Sequence, residues 1–127
     1  MEDKDRKEAF FKKLKERSGT VSEMNETMAT EDLEFIEGIN NLIDTVQRRE
    51  RPGSLPVGTR HLIWLVVECA LKMEPAFIRG HMEAALKHGY TPRQILEALE
   101  VAVPPTGYPS FIHGYRIWRE LVKERTK

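Results

Sequence analysis

Leu55–Leu71 reads LPVGTRHLIWLVVECAL, and after one lysine Met73–Val103 reads MEPAFIRGHMEAALKHGYTPRQILEALEVAV. In the first of these, Leu62, Ile63, Trp64, Leu65, Val66, Val67, Ala70 and Leu71 surround a helix on nearly all sides, which predicts a central helix over Val57–Lys72. In the second, Pro75 suits a first helical turn and Gly89 suits a helix stop, so a helix carrying His81 and His88 is expected between them. Its Ala76, Gly80 and Ala84 recur every fourth residue, a row of small side chains that would let another helix approach closely. Thr91-Pro92-Arg93-Gln94 then reads as a capping box with proline at the first helical position. It opens a helix through Ile95, Leu96, Leu99 and Val103 that Pro104-Pro105 is expected to end.

Outside this stretch the same period recurs. A first helix over Lys4–Arg17 carries Phe10, Phe11 and Leu14 and stops at Ser18-Gly19, forming an N-terminal arm over residues 1–20. After a polar stretch, Thr30 reads as the N-cap of a helix with Leu33, Phe35, Ile36, Ile39, Leu42, Ile43 and Val46 at amphipathic spacing. The basic, Gly/Pro-rich RRERPGSLP at Arg48–Pro56 reads as a helix end and a solvated loop. Beyond the loop PPTGYP, a last helix carries Phe111, Tyr115, Trp118, Leu121 and Val122. The expectation is one all-α domain over residues 1–127, a bundle of about six helices with a helical hairpin at its centre.

Composition narrows the function classes. The 127 residues hold 20 Lys plus Arg and 20 Asp plus Glu, so a net charge of zero argues against nucleic acid as a partner. No apolar run approaches the roughly 20 residues a membrane span requires. The start, MEDKDRKEAF, is charged from its second residue, unlike a secretory leader, so a cytoplasmic location is expected. Cys69 is the single cysteine, which leaves no internal disulfide and no CxxC pair.

Three residues carry the expected chemistry. His81 can take or give a proton near neutrality, and its helix face also holds Phe77, Ala84, Ala85 and His88, so it should point inward. Glu68 interrupts the apolar helix, where a carboxylate must pair or shift its pKa upward. It lies two helical turns after His61 with Trp64 between them as an apolar wall. In a hairpin, His61, Glu68 and His81 could line one cleft; pairing of Glu68 with Arg or Lys across a subunit contact is the alternative. Two histidines and a carboxylate at this spacing match no recognised ligand pattern, so no metal is expected. Cys69, amid Val and Ala, should be an inert core thiol. Arg79 and His113 are candidates to hold a substrate carboxylate, and Tyr108 in the loop before the last helix to close one end of a pocket.

His81-x-x-Ala84-Ala85-x-x-x-Gly89, Thr91-x-x-x-Ile95-x-Glu97 and Gly107-x-Pro109, in this order, resemble the carboxymuconolactone decarboxylase and alkyl hydroperoxidase D-like family over residues 55–126. The resemblance implies a helical hairpin bearing the catalytic histidine, and homo-oligomers, trimers to hexamers, with the site near a subunit interface. The peroxidase-like branch has a CxxC where this chain has Met73-Glu74-Pro75-Ala76-Phe77, so two-cysteine peroxide chemistry is not expected. Glu74 and Phe77 then stand at or beside the lost cysteine positions. The family's Arg-Glu-Leu-Ile appears as Arg60-His61-Leu62-Ile63, which puts His61 in place of a relay glutamate. The function so implied is a cofactor-independent lyase acting by proton transfer on a small carboxylated or lactone substrate. His81, Glu68 and His61 would be catalytic, and Glu74, Phe77, Arg79, Trp64 and Tyr108 would bind substrate. Two alternatives stand beside it: a degenerate peroxidase that lacks its cysteine pair, and a non-enzymatic oligomer that binds a small ligand.

Overall fold

The computed structural model describes residues 2–126, which form helices α1 (Asp3–Ser18), α2 (Glu23–Glu31), α3 (Leu33–Arg48), α4 (Val57–Ala70), α5 (Pro75–Lys87), α6 (Pro92–Val101), α7 (Val103–Thr106) and α8 (Tyr108–Arg125). Among the described residues there is no strand, and no helix is long and apolar enough to cross a membrane. The all-α reading holds, with eight helices where about six were expected. The chain divides into two compact units, one ending at Arg49 and the other beginning at Glu50.

The two additional helices are α2 and α7. The polar stretch after Gly19 has too few apolar residues to show a period, yet Ser22 caps it by accepting from the Asn25 amide, and Ala29 alone is buried. Asp32, not Thr30, caps α3, accepting from the Phe35 amide at 3.1 Å. In α7 the prolines occupy the first turn, where their missing N–H groups would have had no helical partner, so Pro104-Pro105 opens a turn instead of ending one. Tyr108 consequently begins α8 and does not sit in a loop.

The first unit closes over Phe10, Leu14, Ala29 and Ile36. Asn40, buried on α3, joins its three helices: its side-chain oxygen accepts from Arg17 at 2.8 Å, and its amide donates to Asn25 at 3.1 Å and to the Ile36 carbonyl at 2.9 Å. Phe35, Leu42 and Val46, read above as part of the α3 stripe, are exposed.

The second unit is built on the α4–α5 hairpin, with α6 and α8 packed against it over Leu65, Cys69, Ile78, Met82, Ala85, Ile95, Leu99, Ile117 and Leu121. Both ends of the hairpin close with the same device. After α4, the Met73 amide donates to the Glu68 carbonyl and the Lys72 amide to that of Cys69, with Lys72 left-handed at φ 55°. After α5, the Tyr90 amide donates to Ala85 and the Gly89 amide to Leu86, with Gly89 at φ 99°. The end of α5 is pinned to the first turn of α4, because a Cβ at Gly58 would lie 2.9 Å from the His88 Cβ, and the Thr59 and Tyr90 hydroxyls share a hydrogen bond of 2.6 Å. The expected capping box of α6 is present in both directions, Thr91 with Gln94. At the middle of the small-residue row of α5 no helix approaches closely, since a Cβ at Gly80 would meet nothing within 4 Å.

Candidate active site

Helix period places His61, Trp64 and Glu68 on one face of α4, and the antiparallel return of α5 brings His81 against all three. His81 Nδ1 lies 2.8 Å from His61 Nδ1, and its Nε2 lies 3.5 Å from Glu68 Oε1. The Trp64 ring covers the imidazole with centroids 5.1 Å apart, tilted at 54°. The side chains of His81 and Glu68 are only 18% and 10% exposed.

Burial sets the charge preferences here. It raises the Glu68 pKa above its ordinary value and lowers that of His81 below its own, so both groups are drawn toward their uncharged forms. Glu68 Oε1 makes no hydrogen bond, because 3.5 Å to His81 is an ion-pair distance without hydrogen-bond geometry. Between the two Nδ1 atoms one ring donates and the other accepts. When neutral His81 donates there, its Nε2 is a lone pair facing Glu68 and can act as a base. When it accepts there, its Nε2 carries the proton and can act as an acid. The direction of this hydrogen bond thus sets whether His81 Nε2 offers a lone pair or a proton.

The predicted catalytic residues His61, Glu68 and His81 come together, with Trp64 beside them. The other candidates lie elsewhere. Arg79 donates to Glu83 at 2.9 Å and to Glu124 on α8, and lines a groove of about 390 Å³ with Pro75, Arg116 and Glu120, whereas His81 faces α4. Glu74 precedes α5 as an exposed residue with no side-chain capping bond, and Phe77, one turn before His81, is 52% exposed. Tyr108 is 65% exposed and stacks on Phe111 at 6.4 Å. His113 bonds the Met73 carbonyl through its ring at 2.9 Å, holding α8 to the turn of the hairpin. Cys69 is buried against Gly114, and burial, reinforced by the negative charge of Glu68, pushes its thiol up to about 11.

One residue given no role in the sequence reading belongs to the cluster. His88, exposed at the end of α5, stacks on His61 with centroids 6.0 Å apart and planes 19° apart. Its signal was spacing: it follows His81 by seven residues, as Glu68 follows His61. Among the described residues no group of three or more His, Cys, Asp or Glu side chains is arranged to hold a metal ion.

The model of the carboxymuconolactone decarboxylase family matches residues 34–120. No curated protein matches the chain. Among solved structures, a Burkholderia xenovorans LB400 protein provisionally named a carboxymuconolactone decarboxylase superimposes with a TM-score of 0.75 at 21% identity, covering 98% of this chain and 97% of that one.

Proposed function

Because the chain belongs to the carboxymuconolactone decarboxylase family, we propose that it is a cofactor-independent lyase acting by proton transfer on a small carboxylated or lactone substrate. The observation that carries this reading is His81 itself, a mostly buried imidazole with one nitrogen on His61 and the other facing a buried carboxyl whose Oε1 lacks a hydrogen bond. In loss of CO2 from a β,γ-unsaturated acid, the bond to the carboxylate carbon breaks and its electron pair is delocalised into the unsaturated system. A proton from His81 Nε2 then quenches the carbanion at carbon. Loss of the Nε2 proton is balanced at Nδ1, where His81 takes a proton from His61 as the half-buried His61 regains one from solvent, so the ring stays neutral while Glu68 faces the emptied Nε2. Trp64 keeps water from one face of the ring, which preserves the strength of these interactions.

Thiol chemistry has little support beside this, since a lone buried cysteine pushed up to about 11 carries little thiolate at neutral pH. The working form is proposed to be a homo-oligomer, trimer or hexamer, with the apolar flank of α4 buried between copies.

The decisive variant is His81→Ala, assayed for CO2 release from carboxymuconolactone with folding checked by circular dichroism. A positioned acid–base group is worth 100-fold or more, so turnover is expected to fall by at least about 100-fold. A folded variant that turns over as fast as the parent overturns the mechanism.

A further inference from the structure

His88 lies outside the proton transfer described above, yet it is held in place with some care. Gly58 has no side chain where the His88 Cβ comes to rest, Gly89 turns the chain immediately after it, and the Tyr90–Thr59 hydroxyl bond fixes the next residue. The result is a file of four titratable groups whose exposure falls inward: His88 exposed, His61 half-buried, His81 at 18%, Glu68 at 10%. Three of the four histidines in the chain belong to it.

We propose that His88 is a positioning residue for the inner pair: stacked on His61, it disfavours a second charge on His61 and His81 whenever it carries one itself, so that they go on sharing the single N–H that makes His81 an acid or a base. The proposal rests on the reading of His81 given above, but its test does not use turnover. The file takes up protons as a coupled unit, so a charge on one member bears on the next. Once His88 carries it, a second charge on His61 would lie about 6.0 Å away. Even with the screening of bulk water, two unit charges at that distance move a pKa by about half a unit, and by more where the rings exclude water. Burial works in the same direction on His81, and a doubly protonated inner pair would set two N–H donors against each other across 2.8 Å. Charged or titratable groups at this end of the hairpin include Arg60, bonded through Nε to the Leu55 carbonyl, Lys87 beside His88, and Tyr90; α6 adds Glu97, which lines a groove with Tyr90. His88 stacks directly on His61.

The test is an NMR titration of the full chain with labelled histidines, from about pH 4.5 to about pH 8.5, bracketing the ordinary histidine range. The parent is compared with His88→Phe, which keeps a stacked ring without charge, and with His88→Arg, which keeps a permanent one. The inner pair is expected to take its first proton at least about half a unit higher in His88→Phe than in the parent, and to return to the parent value or below in His88→Arg. Identical titration of His61 and His81 in all three proteins overturns the proposal, as does a shift of the same sign in both variants, which would report packing. Should His88→Phe lose its native spectrum, His88→Gln supplies the neutral member of the series. If His81→Ala leaves turnover intact, the lyase reading falls while this titration still decides the coupling.

Discussion

Burial moves Glu68 and His81 in opposite directions, and the two effects leave opposite marks on stability. The folded chain binds the Glu68 proton more tightly than the unfolded chain does, so this residue's contribution is full below its ordinary value of 4.5 and is lost as pH rises through the higher folded value. The folded chain binds the His81 proton less tightly, so that contribution is full above 6.5 and is lost as pH falls below it. Unfolding free energy followed by urea denaturation between about pH 5 and pH 7 should therefore separate them. Glu68→Gln, which leaves the His81 contribution alone, is expected to gain stability with rising pH relative to the parent, and His81→Gln to lose it; parallel curves would mean that the side chains do not feel the burial assigned to them. The convergence of these residues was legible because seven-residue spacing on an apolar helix puts His61, Trp64 and Glu68 on one face. The misplacement of Arg79 was legible too, since two residues before His81 is close to the opposite side of a helix. What spacing does not reveal is the partner that takes Arg79, because Glu124 is 45 residues distant.

The hairpin's two ends are the same motif with different residues at the left-handed position, Lys72 at one and Gly89 at the other. A side chain pays a steric penalty there that glycine avoids. Lys72→Gly is accordingly expected to stabilise the chain by about 0.5–1 kcal/mol, and Gly89→Ala to destabilise it by about 1 kcal/mol or more, both measurable by chemical denaturation. The opposite sign for Lys72→Gly would show that the lysine stem contributes more through packing than its backbone costs. Elements marked by local chemistry were readable at this scale: Gly19 and Gly89 end helices where expected, and Thr91-Pro92-Arg93-Gln94 opens α6. Those that depend on context were not. The α2 segment has one buried residue and no period to detect, and Pro104-Pro105 means a stop or a start according to whether the chain before it has already turned. In the first unit, burial alone would raise the Asp44 pKa, but the hydrogen bond from Arg17 and the charges of Arg17, Arg48 and Lys13 lower it below 3.8. Its contribution is present above that value and lost as pH falls through the folded one, so Asp44→Asn should cost about 1 kcal/mol at neutral pH and progressively less in acid.

A helix as apolar as α4 should be covered on nearly every side, yet Ile63, Val67 and Leu71, one turn apart in succession, stay exposed, and Phe77 at the start of α5 adds a fourth large apolar side chain. Apolar patterning thus identified the central helix of the second unit, but not which of its faces its own chain would leave uncovered, since hydrophobicity alone does not say whether the neighbour comes from the same copy. The proposed occupant of this stripe is a second copy. With a net charge of zero and an isoelectric point near 6.9, no long-range repulsion opposes association at neutral pH. Covering one such side chain is worth about 1.5–3 kcal/mol, so the stripe can contribute several kcal/mol at each contact before the costs of association are met. Val67→Lys isolates this contribution: the position is 49% exposed, so the single chain loses little core, and a lysine near the end of α4 suits the helix dipole. In a closed assembly of identical chains the substitution falls at every interface and its effects multiply. Native mass spectrometry is expected to give a trimer or hexamer for the parent and mostly single chains for Val67→Lys, with unchanged circular dichroism. A parent that flies as a single chain, or a variant that assembles as well as the parent, would take the second copy off this face and leave its exposure to be explained within one chain.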